Sequence, residues 1–266
     1  ELTVARYLER YAETLIHDVE YQIIGSFDSV VVIPIYDEPE EQIQHFLDFH
    51  VHSKYSKITL MIWVFNAPES SIASPGLLRT QQVFKSMLEQ TQANKISEGL
   101  YFSAQQKNLK ILFVDRCHDH LIPGKQGVGL ARKLGLDLAL YFCYHQYLTT
   151  KYWCYWLYST DADVKLPSGY GLLPPKENTT ACIYPFKHLP EPGFEKAMAD
   201  YEFSLHYYVD SLKRAGSPYA FHTIGSLIVV SSLAYAQVRG MPKRAGAEDF
   251  YFLNKLAKLG RIDSLS

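Results

Sequence analysis

Four apolar runs in this chain stop abruptly at polar residues. Residues 30–35 run into Tyr36, Asp37 and Glu38; residues 58–65 into Asn66; residues 109–114 into Asp115 and Arg116; and the aromatic run from Tyr152 into Asp161 and Asp163. Runs without polar alternation read as strands buried on both faces, because a half-exposed strand alternates apolar with polar. Helical patterns separate them. Asp37 and Pro39 open one that buries Ile43, Phe46, Leu47 and His50; residues 77–89 bury Leu77, Phe84, Met87 and Leu88; and residues 128–147 form a third. Repetition of strand, polar turn and helix predicts an α/β fold, a central mixed, mostly parallel sheet flanked by helices. Ligands collect outside the carboxyl ends of strands in such sheets, so the polar residues that end these runs are the first candidates for a site.

With 266 residues, 47% of them hydrophobic, the chain is long enough for one large domain or a domain with a small appendage. A net charge of −2 excludes the global basic field that holds nucleic acid, so any phosphate site must be local. Cys117, Cys143, Cys154 and Cys182 lack Cys-x-x-Cys spacing, which suits a reducing compartment. The most apolar stretch, residues 134–158, is interrupted by Asp137, His145, Gln146 and Lys151, so no transmembrane segment is expected, and no signal peptide opens the chain. A cytoplasmic location follows, with peripheral contact at the inner face of the membrane left open. The start at Glu1 and a last motif near the end suggest a piece of a longer protein.

Residues 1–24 carry Val4, Leu8, Tyr11, Leu15 and Val19 on one helical face and are expected to form an N-terminal appendage, residues 1–27. Residues 91–108 are polar and expected to be a mobile excursion. A helix over 194–215 has a stripe of Ala197, Tyr201, Leu205, Tyr208 and Leu212 that reads as core. Gly225 interrupts a strand over 221–230, which suggests close approach to something bound. Residues 240–247 form a loop, and Glu248 and Asp249 open a helix that ends at Gly260, two acids that complement a helix dipole.

An Asp-x-Asp taken alone caps a turn; at a strand's carboxyl end it can also hold a hard divalent cation through oxygen ligands. Upstream, Gly124, Gly127 and Gly129 allow close backbone approach, Lys125 and Arg132 supply charge, and the following helix N-terminus attracts anions, although neither Walker nor dinucleotide spacing is present. Cys117, His118, Asp119 and His120 read as a polar loop, because no partner ligand pair stands at structural-zinc spacing.

Taken in order, residues 31–38, Asn66, residues 124–139, 157–164, 224–230 and 245–256 resemble a family-2 glycosyltransferase of the type A (GT-A) fold, the Rossmann-like fold of nucleotide-diphospho-sugar transferases, from about residue 30 to 262. The resemblance implies a nucleotide-sugar pocket of Pro34, Tyr36, Asp37, Glu38, Asn66, Lys125, Gly127, Arg132, Asp161 and Ala162. It implies Mn²⁺ or Mg²⁺ held by Asp161 and Asp163, and Asp249 as catalytic base beside Glu248. It divides residues 28–266 into a nucleotide-binding half, about 28–165, and an acceptor-side half, about 166–266. The expected donor is a UDP- or GDP-sugar and the acceptor a glycan, a lipid-linked or a small molecule.

Three departures bear on this. Asn66 stands where the family commonly has a carboxylate, and Lys133 follows Ala-Arg where the family has Asn, so that it adds a phosphate contact or faces solvent. No Gln-x-x-Arg-Trp follows Glu248-Asp249, which implies transfer of a single sugar. The chemistry suits inversion: a cation neutralises the leaving diphosphate, and a carboxylate takes the acceptor proton. A retaining transferase and a catalytically silent nucleotide-sugar or glycan-binding module are the alternatives. A sugar-1-phosphate nucleotidyltransferase would require a Gly-x-Gly-x-Arg loop where Tyr36-Asp37-Glu38 stands.

Overall fold

The structure, a computed structural model, describes residues 1–51, 57–106, 108–167, 169–174 and 176–265, without the side chains of residues 48–51, 105 and 106. In chain order the elements are α1 (Leu2–Arg10), α2 (Tyr21–Ile24), β1 (Ser29–Ile35), α3 (Glu40–Val51), β2 (Thr59–Asn66), α4 (Pro75–Gln90), β3 (Asn94–Ser97), β4 (Leu100–Gln106), β5 (Leu109–Arg116), α5 (Gly127–Thr150), β6 (Trp156–Ser159), β7 (Thr179–Ile183), α6 (Glu195–Arg214), β8 (Ile228–Ser231), α7 (Ser232–Gln237), α8 (Glu248–Leu256) and β9 (Arg261–Ser264). They build one sheet in the order β3-β4-β5-β2-β1-β6-β8-β7-β9. Its centre is parallel: β1 pairs with β2 and β6, and β2 with β5, while β4, β3 and β8 run antiparallel to their neighbours.

Every residue of β1 and β2 is buried, as expected of strands covered on both faces. Val30, Val32, Leu60, Ile62 and Val64 pack with Leu134, Leu138 and Phe142 of α5; Val31, Ile33, Met61, Trp63 and Phe65 pack with Ile43 and Phe46 of α3 and Leu77, Phe84 and Met87 of α4. Ser74 caps α4, its Oγ accepting the Leu77 N–H at 3.1 Å, with Pro75 in the first turn. Asp37 does not turn toward α3: its carboxylate pairs with Arg79 of α4 at 2.7 Å and its N–H donates to Thr80. The side chain of His50, expected on the buried side of α3, lies outside the described residues.

The N-terminal segment is not one helix. α1 stops at Arg10, a 3₁₀ turn spans Thr14–Asp18, and α2 follows. The cause is a buried carboxylate: Asp137 of α5 accepts from the Tyr7 hydroxyl at 2.5 Å, the Tyr235 hydroxyl at 2.7 Å and the Glu13 N–H at 2.8 Å. An unbroken helix would commit that N–H to its own i−4 carbonyl. Val4, Tyr7, Leu15, Ile16 and Val19 join the core that lies under α5. Lys133 neither faces solvent nor waits for phosphate; it is buried against Asp137 at 2.8 Å and donates to the Tyr11 carbonyl.

Residues 91–108 contain a hairpin rather than a free excursion, β3 and β4 pairing on the edge of β5, with Leu100 buried and Tyr101 against Phe84. Within 221–230 only β8 is strand, preceded by a 3₁₀ turn at Gly225–Leu227. The stripe on α6 is not core: Val209 is the buried residue of that helix, while Tyr201 is 53% and Tyr208 63% exposed. Among the described residues no helix is long and apolar enough to cross a membrane.

Candidate functional site

β1 lies between β2 and β6 in parallel register, so the carboxyl ends of the three strands come side by side. The Thr160 N–H donates to the Val32 carbonyl at 3.1 Å, which carries the pairing to the turn that holds Asp161 and Asp163. A cavity of about 390 Å³ opens at these ends. Its wall brings together Pro34, Tyr36, Glu38, Asn66, Gly127, Arg132, Asp161, Ala162 and Asp163, with Pro68, Ile122 and Val128. Of the other residues singled out in the sequence, Asp37 turns to Arg79, and Lys125 is exposed outside this wall.

Asn66 is 7% exposed and its Oδ1 has no hydrogen-bond partner, an orphaned acceptor in the cavity wall. A buried acceptor without a partner costs free energy that a ligand N–H would recover. Glu38 stands near Asp161 and Asp163. Burial raises its carboxyl above the usual range, and the charges of Asp163, Asp161 and Asp37 raise it further. Carboxylates gathered in this way repel one another until a cation joins them.

Arg132 organises the site. Its side chain is buried and donates through one nitrogen to Asp161 Oδ1 at 2.5 Å and through the other to Glu248 Oε1. Its Nε is buried without a partner. Gly225 admits it: a Cβ there would lie 2.7 Å from the Arg132 Cζ. The close approach expected at Gly225 is thus made by this guanidinium. At Gly129, too, the chain itself approaches, its N–H donating to the Arg244 carbonyl at 3.1 Å, and a Cβ there would stand 2.5 Å from the Pro242 oxygen. The loop before α8 therefore packs on the start of α5 and takes one of the N–H groups expected to meet an anion.

Glu248 is buried at the head of α8; burial pushes its carboxyl up, against the pull of the Arg132 charge. Asp249 is half-buried, with Oδ1 accepting the Phe250 N–H at 2.7 Å. Neither lines the cavity, but Glu248 is tied to its wall through Arg132.

The metal expected here fits the donor set: Asp161, Asp163 and Glu38 offer only oxygen atoms, which suits a hard divalent cation. Arg132 already engages one oxygen of Asp161, which leaves exposed Asp163 as the less committed ligand. Among the described residues, Glu38, Asp161 and Asp163 do not bring candidate ligand atoms within 4.8 Å of one another; the three side chains that do are instead Asp115, Cys117 and His118. They form a turn stapled by Asp115, which accepts the Cys117 N–H at 3.0 Å and the His118 N–H at 3.2 Å. Burial, and then the Asp115 charge, push the Cys117 thiol up.

A second cavity, of about 610 Å³, shares Asp161 and Asp163 and is otherwise walled by residues 164–227, Tyr170, Tyr184, Phe186 and His188 among them. Sequence reasoning missed it. The aromatic residues after β7 were the available signal, but nothing local to them says that they face Asp163.

No family model matches the sequence, and no curated protein matches it. Among solved structures the fold is similar to that of the mannosyltransferase PcManGT from Pyrobaculum calidifontis in complex with GDP-Man and Mn²⁺, with a TM-score of 0.46 and 15% sequence identity over 99% of this chain. The chain spans 62% of that structure's length.

Proposed function

We propose that this chain is a glycosyltransferase that moves a single sugar from a UDP- or GDP-sugar to an acceptor hydroxyl, with Mn²⁺ or Mg²⁺ and inversion at the anomeric carbon. The observation that carries the reading is the cavity at the ends of β1, β2 and β6, whose wall holds an aromatic ring, an orphaned amide oxygen, a buried guanidinium and three carboxylates. Tyr36 offers a face for a nucleotide base, and Asn66 Oδ1 an acceptor for a base N–H. A divalent cation held by Asp163 and Asp161 would neutralise charge on the leaving diphosphate. Arg132 holds the Asp161 carboxylate in place through its Oδ1.

The nucleotide half is assigned to about 28–165. The cavity of residues 164–227, which meets the first at Asp161 and Asp163, is assigned to the acceptor, in the half from 166 to 266. Asp249 is assigned as the base that takes the acceptor proton. Support for that role is indirect: Glu248, its neighbour, is bonded to the same guanidinium as Asp161.

The position of Asp249 outside the walls of both cavities favours one rival, a module that binds nucleotide sugar without transferring it. A single experiment tests both. UDP- and GDP-sugars are screened by thermal shift with Mn²⁺, Mg²⁺ or EDTA, and stabilising donors are followed for release of free nucleotide. Metal-dependent stabilisation with nucleotide release supports a transferase; stabilisation without release supports the binding module; no stabilisation by any donor removes the nucleotide-sugar assignment.

A further inference from the structure

We infer that the acceptor is an oligosaccharide, and that its sugars beyond the reacting one lie in an aromatic groove between α6 and residues 219–224. The inference rests on the glycosyltransferase reading and commits it to one acceptor class. A third cavity, of about 630 Å³, lies along α6, walled by Tyr201, Tyr208, Tyr219, Phe221, His222 and Phe250 among others. Ile224 belongs both to its wall and to that of the cavity containing Asp161 and Asp163.

Rings continue from one cavity to the other. Phe186, in the inner wall, stacks on His206 at 5.3 Å and 7° and meets the edge of His222, in the outer wall, at 4.9 Å. His188 of the inner wall meets Tyr201 of the outer at 5.5 Å. The α6 stripe of Tyr201, Leu205, Tyr208 and Leu212, whose spacing resembles a core face, lines this groove instead. That explains why a helix with an apolar stripe buries little more than Val209.

The chemistry of the wall selects the occupant. A sugar ring presents a flat C–H face, which the electron-rich face of an aromatic ring attracts, and a rim of hydroxyls that require hydrogen bonds. The groove offers aromatic faces with polar atoms between them: the tyrosine hydroxyls, His222, Ser217, Asn254 and Lys258. A lipid tail would strip water from these groups and return no hydrogen bonds. Each cavity alone falls within the roughly 300–1,000 Å³ of sites that enclose a small ligand, so the inner one suffices for the reacting sugar and the outer one has room for more.

The test presents the chain to an array of immobilised oligosaccharides that includes the mono- and disaccharides they contain. The best-retained glycan is then titrated by calorimetry against the wild type, Tyr201→Ala and Tyr208→Ala, with UDP and GDP in Mn²⁺ titrated on the same samples. A dispersed polyprenyl phosphate serves as the lipid probe. The expected result is a glycan that binds about tenfold or more tightly than its disaccharide, loses about tenfold with either variant, and leaves nucleotide affinity unchanged. Both tyrosines are exposed, so neither variant should unfold the chain. No retained glycan, affinity independent of length, insensitivity to both variants, or a polyprenyl phosphate whose binding the variants abolish would each overturn the inference. Nucleotide binding without glycan binding leaves the glycosyltransferase reading standing and removes the groove. Glycan binding without nucleotide binding does the reverse.

Discussion

Glu248, at the head of α8, and Asp161, in the turn after β6, are held by one buried guanidinium, that of Arg132. The acid pair that opens α8 is therefore mechanically coupled to the Asp161–Asp163 turn 87 positions earlier in the chain (248 − 161 = 87). Gly225 is the weak point of this arrangement, because an added methyl would stand 2.7 Å from the Arg132 Cζ and the guanidinium could move away only by disturbing its bonds to Asp161 and Glu248.

Gly225→Ala is therefore expected to displace Arg132 and to weaken Mn²⁺-dependent nucleotide binding by roughly ten- to a hundredfold, the worth of a charge-assisted hydrogen bond. Arg132→Lys should act in the same sense, since an ammonium cannot span both carboxylates as a planar fork does. Calorimetric titration of UDP and GDP with each variant is the check. Affinity equal to wild type in Gly225→Ala would show that the bridge has no part in binding.

Asp163→Ala is expected to remove most of the metal-dependent part of nucleotide affinity, because Asp161 is already engaged by Arg132. Glu38→Gln should weaken it less, since the same change removes a carboxyl that burial, and then the charges of Asp163 and Asp161, already disfavour as an anion. The comparison is between affinities measured with Mn²⁺ and with EDTA. Equal affinities in the wild type would contradict the metal assignment altogether.

How far the site could be read from the sequence follows from how local its parts are. β1, β2 and β6 announce themselves as apolar runs, and their parallel pairing brings Tyr36, Glu38, Asn66 and Asp161 to one cavity without any long-range information beyond strand order. Arg132 was a visible candidate, but its partners Glu248 and Gly225 lie far along the chain, and no local pattern links them. The β3–β4 hairpin was obscured because an edge pair in a polar stretch needs few apolar residues, here Leu100, Tyr101 and Phe102. On α6 the periodicity correctly predicts a helix with an apolar stripe; it does not say whether protein or a cavity covers that stripe. Asp137 carried a clue of another kind, since an acid inside an apolar helix requires partners, and Lys133 one turn before it supplies the first.

Removing the carboxylate alone should cost more than removing both members of that pair, by the penalty of the unpaired ammonium. Asp137→Ala leaves the Lys133 ammonium buried with no carboxylate beyond the distant edge of Glu13 at 3.9 Å, and a loss of about 3–5 kcal/mol is expected. The double variant Lys133→Met with Asp137→Leu should recover only the part due to the unpaired ammonium, because the Tyr7 and Tyr235 hydroxyls and the Glu13 N–H still lose their acceptor. Urea denaturation supplies both values, and α1 should be the first part to lose hydrogen-exchange protection in Asp137→Ala. A loss under about 1 kcal/mol in the single variant would mean that water reaches the pair.

His222 is one source of pH dependence, beside His145, whose ring burial also holds down. Burial, then the charges of His206 and Lys213, hold the His222 ring below the ordinary value of 6.5. The folded state thus disfavours the proton that the unfolded chain accepts, so the stability involved is present above pH 6.5 and is lost as pH falls through the lower folded value. His222→Phe is expected to lose less stability than the wild type on acidification below pH 6.5, measured as denaturation midpoints across a pH series. Parallel curves for the two proteins would show that this ring does not titrate differently on folding.

Asp249 carries the most exposed assignment, because neither cavity wall includes it, while its neighbour Glu248 is buried and committed to Arg132. Three roles predict different results for Asp249→Asn. A dipole-complementing residue at the head of α8 would cost about 1 kcal/mol of stability or less and leave turnover alone. A solvated surface acid would change neither. A general base would behave otherwise, since Asn keeps the size and hydrogen bonding but cannot take the acceptor proton; turnover should fall by roughly two to four powers of ten while donor affinity barely moves. Transfer rate, donor affinity and unfolding midpoint, measured together, separate the three. Glu248→Gln provides the internal contrast: it disturbs the Arg132 bridge, so it should weaken donor binding as well as slow turnover. NMR of the product formed from an α-linked donor then reads the stereochemistry. A β-linked product with a slow Asp249→Asn is the result that inversion requires, an α-linked product replaces it with retention, and a fast Asp249→Asn moves the search for the base to another carboxylate.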